Sequence, residues 1–314
     1  MRASTSGGDT ELFVSNGGVL IADASAGAEI LFTADGSTTA GSWEGLRFDN
    51  GASATLSNVE IRYADYPLDL GNGDDADFSI TGVDIVAPRA RGISSAVTSS
   101  QTLTLTDVDI DCSGGGASTY GMFFSAGSAT VSVTESSFTG CAVGIHATNI
   151  DLVVDHTIFD SNTTDGISFV ASLNGTWDLQ VAYSTFYANA DAIQVTRGTS
   201  SSSRRVKLDI TNSVFGNNTY IVRDLAAYTS YRAAFDVFQR NVWWGDNQFT
   251  NVNGPTSNLD NLNYNGLLAD PDGGDFEPTE RSPARYFSPA NPAMTLGAVA
   301  HAGAASPAGV HGFW

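Results

Sequence analysis

Lysine is almost missing from this chain: Lys207 stands alone, and 14 basic residues face 34 acidic ones for a net charge of −20. Such a field repels phosphate backbones and anionic lipid, so nucleic acid and membrane surfaces are poor partners, while cations are favoured. No stretch approaches the roughly 18 apolar residues of a membrane span. The opening residues, MRASTSGGDTELF, carry no apolar h-region, so a secretion signal is absent or was removed. Residues 10–13 already read as a strand, and the chain is expected to be a processed piece of a longer protein with flanking domains. Proline is scarce before residue 250; seven of the nine lie beyond it. Cysteine is limited to Cys112 and Cys141, 29 residues apart.

What is present is repetition. A small residue followed by Leu, Ile or Met recurs in GLRF (45–48), PLDL (67–70), GIS (92–94), GMFF (121–124), GIHA (144–147), GISF (166–169), AIQV (192–195) and YIVR (220–223). With Leu46, Leu68, Ile93, Met122, Ile145, Ile167, Ile193 and Ile221 as one register, the intervals are 22, 25, 29, 23, 22, 26 and 28. That spacing is the signature of a solenoid, in which no unit buries its apolar face alone and neighbours must stack. A second register runs Leu56, Ile80, Leu105, Val133, Val154, Val181, Ile210, and a third Ile61, Ile85, Ile110, Phe138, Phe159, Phe186, Phe215.

Each unit therefore holds three short strands separated by Gly, Asn, Asp and Ser turns, rich in β-branched residues and too short for helices. The expected fold is an all-β, right-handed parallel β-helix: a single-stranded solenoid of three parallel sheets and about eight to ten coils. Residues 1–245 are assigned to the coils. Residues 246–314, Pro-rich and unable to extend central strands, are assigned to an irregular cap packed on the solenoid. The four phenylalanines of the third register are expected as an internal stack. The cysteines fall one above the other on neighbouring coils, close enough for a disulfide, which suits an extracellular setting, or for two buried thiols.

Three segments carry a resemblance. ELFVSNGGVLIADASAGAEILFTADGSTTAGSWEGLRFDNGASATLSNVEIRYA (11–64), NVWWGDN (241–247) before Gly254-Pro255, and DFEPTERSPARYFSP (275–289) with LGAV (296–299) resemble the opening, ending and closing segments of right-handed parallel β-helix proteins. That is the pectate-lyase-like superfamily. The resemblance implies the fold over almost the whole chain and says little of activity. Relatives that hydrolyse pectin carry an ordered series whose fragments are similar to Thr164-Asp165-Gly166, Asp74-Asp75, Gly144-Ile145-His146 and Arg205-Val206-Lys207. Here the order is wrong and the histidine lacks its trailing glycine. Lyase relatives need an Arg or Lys base; Arg89 and Arg91 lie near the acidic coils, but nothing marks either one.

Two candidate sites follow. Outward positions of the first register form a ladder, Arg47, Asp69, Ser94, Phe123, His146, Ser168, Gln194 and Val222. Its middle, Phe123–His146–Ser168–Gln194, offers an aromatic face for a sugar ring and polar groups for its hydroxyls, with His146 able to act as acid or base. Glu60, Asp84 and Asp109 share one outward position on three coils, where like charges destabilise the sheet unless calcium, or simple hydration, reconciles them. TLTLTD (102–107) suggests a Thr array for ice or crystal contact, yet its period does not persist. The expected function is an extracellular or cell-surface β-helix that binds a polymer, carbohydrate above all, on its side face, or serves as a structural or adhesive spacer. The competing reading is a polysaccharide lyase or glycoside hydrolase.

Overall fold

A computed structural model describes residues 10–71, 77–96, 102–116, 119–125, 129–197, 204–225, 233–245 and 247–250, with short pieces at 2–3, 252, 262–263, 268–273 and 275–278. The chain is all-β, a parallel solenoid of about seven turns. One parallel sheet, here the glycine sheet, stacks ten strands, from Glu11–Val14 and Gly45–Phe48 through Tyr120–Ser125 and Val143–Thr148 to Asn247–Thr250. The rungs are uneven. Leu68–Asp69 is only two residues long, the Leu208/Asp209 pairing slips its register, and the last rung is followed by the two-residue strand Leu262–Asn263.

The second and third strands of each coil meet at a bend and belong to one 17-stranded ladder rather than two separate sheets. In the early coils they are one continuous strand, as in Ser53–Arg62 and Thr102–Asp111; later they part, as in Asp151–Asp155 and Ile158–Asp160. From Ser53–Arg62 onward one left-handed residue makes the bend on each coil. Asn58, Gly82, Asp107, Glu135, His156, Tyr183, Asn212 and Arg240 all have φ between 48° and 62°. Asn, Asp and His tolerate this region best, and each bulkier residue costs about 1–2 kcal/mol that stacking must offset.

The second and third inward registers pair as their spacing requires: Leu56↔Ile80↔Leu105↔Val133↔Val154↔Val181↔Ile210, and Ile61 through Phe215. Phe138, Phe159, Phe186 and Phe215 are fully buried and stack at 5.1, 4.6 and 5.1 Å between ring centroids. This stack explains the glycine of the repeat. A Cβ on Gly121, Gly144 or Gly166 would lie 2.6, 2.8 or 2.9 Å from the Cδ1 of Phe138, Phe159 or Phe186. Beside it runs a buried asparagine ladder: Asn162 Nδ2 donates to Asn189 Oδ1, and Asn189 Nδ2 to Asn218 Oδ1, both at 2.9 Å. Their remaining Nδ2 bonds reach the carbonyls of Phe138, Phe159 and Phe186 and tie one coil to the next.

Cys112 and Cys141 form a disulfide between adjacent coils, Cα atoms 4.8 Å apart. Pairing continues past residue 245: Asn247–Thr250 adds a rung to the glycine sheet, and Leu262–Asn263 pairs with Val242–Trp244. Beyond them the antiparallel pair Leu268–Asp270 and Asp275–Pro278 packs on Ile158, Tyr187 and Trp244 outside the solenoid. The Tyr187 hydroxyl bonds Asp272 there at 2.8 Å. The rest of the expected cap, 279–314, lies outside the described residues, as do Asp74 and Asp75.

Candidate functional site

The small and branched residues of each repeat point inward, so the residue before the glycine and the residue after the isoleucine form two neighbouring outer ladders on the glycine sheet. The first reads Arg91, Tyr120, Val143, Asp165, Asp191, Tyr220; the second reads Ser94, Phe123, His146, Ser168, Gln194, Arg223. Phe123, His146, Ser168 and Gln194 are thus brought onto adjacent rungs. The last position of the expected ladder is corrected. Val222, not Ile221, pairs with Ile193, and Arg223 follows Gln194. Ile221 takes the place that Gly or Ala holds from Gly92 to Ala192, so Tyr220-Ile221-Val222 has two adjacent apolar residues, both fully buried.

Phe123 does not offer a ring face. The Arg91 guanidinium lies 3.7 Å from its centroid on the side of the preceding rung, and the His146 ring stacks at 4.8 Å on the side of the next. Tyr120 meets both rings edge-on at 5.4 and 5.6 Å. Burial, with the Arg91 charge beside it, holds the His146 pKa below the ordinary imidazole value, so the ring is neutral at pH 7. Its Nε2 is 3.0 Å from Thr148 Oγ1. This packing makes His146 a wall of the face.

Next on the sheet are two carboxylates that the ladder reading passed over. Asp165 and Asp191 occupy the same position on adjacent rungs and are 2% and 1% exposed. Gln194 Nε2 donates to Asp165 Oδ1 at 3.0 Å and to Asp191 Oδ2 at 3.3 Å, and Arg223 bonds the same Asp191 oxygen at 2.6 Å. Burial, reinforced by the Asp191 charge, pushes the Asp165 pKa up to about 7; burial also raises Asp191, against the Gln194 bond and Arg223. Near neutrality Asp165 is therefore partly protonated.

Toward the N-terminal coils the same face opens into a groove of about 380 Å³ lined by Arg47, Asn50, Asp69, Arg91, Ser94 and Phe123, among others. Arg47 is mostly exposed and 3.6 Å from Glu11. The Ser94 hydroxyl donates to Asp69 Oδ1 at 3.1 Å. The Arg47 and Arg91 guanidinium groups stand in this groove beside Asp49 and Asp69.

On the third face Glu60, Asp84 and Asp109 do stand in one register. Protein donors already serve the two ends. Arg62 grips both Glu60 oxygens at 2.5 and 2.6 Å, and Ser137 donates to Asp109 at 2.6 Å. Asp84 lies between them, its pKa pushed up to about 6 by burial and then by Asp109 and Glu60. Among the described residues no group of three or more His, Cys, Asp and Glu is placed to hold a metal ion.

No family model, no curated protein and no solved structure matches this chain. Tyr120, Asp191 and Arg223 were missed from sequence, and Arg91 and Asp165 were named there without a place on this face. The available signal was the residue before each glycine, most plainly Asp165-Gly166-Ile167 and Asp191-Ala192-Ile193.

Proposed function

We propose that the outer face of the glycine sheet binds a carbohydrate polymer at a cell surface or outside the cell. The observation that carries this reading is the groove over Arg47, Asp69, Arg91, Ser94 and Phe123, continuous with polar groups repeated on each rung. Strand spacing of about 4.8 Å approximates the size of a sugar ring, so a polymer lying along the solenoid meets a new pair of outward side chains at every rung. The edges of Phe123 and Tyr120 supply apolar contact, and Arg47 and Arg91 donate to hydroxyl or carboxylate groups. The disulfide is in keeping with an oxidising location, and the expected kinship with pectate-lyase-like β-helices points the same way. Affinity electrophoresis through gels cast with acidic and neutral polysaccharides tests it. The chain is retarded by at least one polymer, longer oligosaccharides compete better than short ones, and Arg47→Ala with Arg91→Ala loses most of the retardation. No retardation by any polymer replaces this reading with that of a structural spacer.

One observation favours a second reading, glycoside hydrolysis: a carboxyl titrating near neutrality beside a charge-held carboxylate is the division of roles that acid–base cleavage requires. Against it, both groups are almost wholly covered by Gln194 and Arg223. Release of reducing ends by the wild type, absent in Asp165→Asn, would make hydrolysis the primary function.

A further inference from the structure

Three segments fit the acceptor pattern for N-linked glycans, Asn-X-Ser/Thr with X other than Pro: Asn162-Thr163-Thr164, Asn174-Gly175-Thr176 and Asn217-Asn218-Thr219. The fold separates them. Asn162 is 0% exposed, and its Nδ2 is spent on the Phe138 carbonyl and on Asn189 within the asparagine ladder. A glycan there is incompatible with the stacked coils. Asn217 sits at a left-handed corner with φ 56°, and its Nδ2 donates to the Tyr187 hydroxyl at 2.9 Å, the same hydroxyl that holds Asp272. A glycan on that nitrogen would leave it one hydrogen and set a sugar ring against the contact that fastens the C-terminal hairpin.

Asn174 is exposed, as Asn217 is, and differs from both in that no other described group holds its amide. It lies in the short connection between Asp165–Ala171 and Gly175–Ala182, is exposed, and makes no side-chain hydrogen bond among the described residues. Thr176, the hydroxyl residue of the pattern, is exposed as well. The connection is nonetheless held: Asn149 Oδ1 accepts the Ser172 and Leu173 N–H groups at 2.7 and 2.8 Å. Gly175 follows with φ 151°, a conformation that side-chain-bearing residues rarely adopt, so the Asn174 amide is presented on a fixed stem. Leu173 beside it is 53% exposed and gives a first sugar ring an apolar surface to lie on.

We infer that Asn174 is an N-glycosylation site and that Asn162 and Asn217 are not used in the folded protein. The inference rests on the extracellular half of the proposed function. The Asn174 amide nitrogen forms a bond to C1 of an oligosaccharide carried on a lipid pyrophosphate; the C1–O bond breaks, the pyrophosphate leaves with the electron pair, and the nitrogen loses one proton.

The test secretes the full chain behind a host signal sequence from eukaryotic cells and maps peptides before and after enzymatic glycan release, which leaves aspartate at each occupied position. Occupancy is expected at Asn174, absent in Asn174→Gln and in Thr176→Ala, and unchanged in Asn217→Gln. A folded, secreted chain that is unmodified at Asn174, or modified mainly at Asn162 or Asn217, overturns the inference. If the variants fold poorly in cells, purified folded wild type is incubated with an oligosaccharyltransferase and lipid-linked oligosaccharide. Transfer to Asn174 supports the assignment, and failure to accept sugar there refutes it. Fractionation of the native cells tests the location separately. An intracellular protein removes the extracellular reading even if Asn174 accepts sugar in both assays.

Discussion

The third face of the solenoid is built in two ways on one register. Over its first coils Ile61, Ile85 and Ile110 point inward and Glu60, Asp84 and Asp109 outward; from Phe138 to Phe215 aromatic rings point inward, and the outer positions become Ser137, Ile158, Thr185 and Val214. The isoleucine half carries a buried Glu60 and half-buried Asp84 and Asp109 beside a shallow depression of about 270 Å³. The phenylalanine half is covered outside by the hairpin at Leu268 and Phe276. One half is tuned by charge and the other by packing, so acid, salt and cavity-forming mutations should act on different coils.

The largest contrast should come from core truncation. Phe159→Ala removes the ring between two others and is expected to cost about 3–5 kcal/mol, while Ile85→Val in the other half costs about 0.5–1.5 kcal/mol. Urea unfolding measures both, and equal losses would show that the aromatic stack has no special weight. Next comes the disulfide, which joins the two halves. Its reduction should cost about 3–4 kcal/mol for a loop of this length. A reduced protein melting at the oxidised temperature would remove that clamp from the account.

The third effect is pH dependence. Asp84 and Asp165 have folded pKa values raised to about 6 and about 7, above the unfolded carboxylate value. Their stabilising contribution is complete below about pH 4 and is lost as pH rises through those folded values, because the native state then binds protons that the unfolded state has released. The melting temperature should therefore fall between pH 4 and 8. Asp84→Asn flattens the part centred near 6, and Asp165→Asn the part near 7. A melting temperature that rises steadily over this range contradicts both assignments. The smallest effect concerns calcium. With Glu60 held by Arg62 and Asp109 by Ser137, millimolar calcium should leave melting unchanged in wild type. A calcium-dependent rise abolished by Asp84→Asn together with Asp109→Asn would instead restore calcium to that face.

Much of this architecture could be read from residue spacing, because a solenoid writes its registers at a nearly fixed interval. The pairing of Ile85 with Ile110, the four-ring stack and the neighbouring ladder of Phe123, His146, Ser168 and Gln194 all followed from it. What spacing does not carry is lateral contact. Arg91 precedes Phe123 by 32 positions, and only the fold lays its guanidinium on the ring. The slip at Ile221 escaped notice because two adjacent apolar residues satisfy either register. Asp165 and Asp191 were hidden by their position before the glycine, where the other coils carry Arg91, Tyr120, Val143 and Tyr220 and show no common chemistry. The additional rung at Asn247–Thr250 was masked by the prolines soon after it.

The central claim, that a glycan polymer lies on the outer face of the glycine sheet, is tested most directly by hydroxyl-radical footprinting with a retarding polysaccharide bound. Phe123, Tyr120 and Tyr220 should be oxidised more slowly in the complex, while His156 and Tyr183, which stack on each other at the bend between the other two faces, should react at the same rate with and without polymer. Protection of His156 and Tyr183 with none at Phe123 or Tyr120 would place the ligand elsewhere and contradict the account.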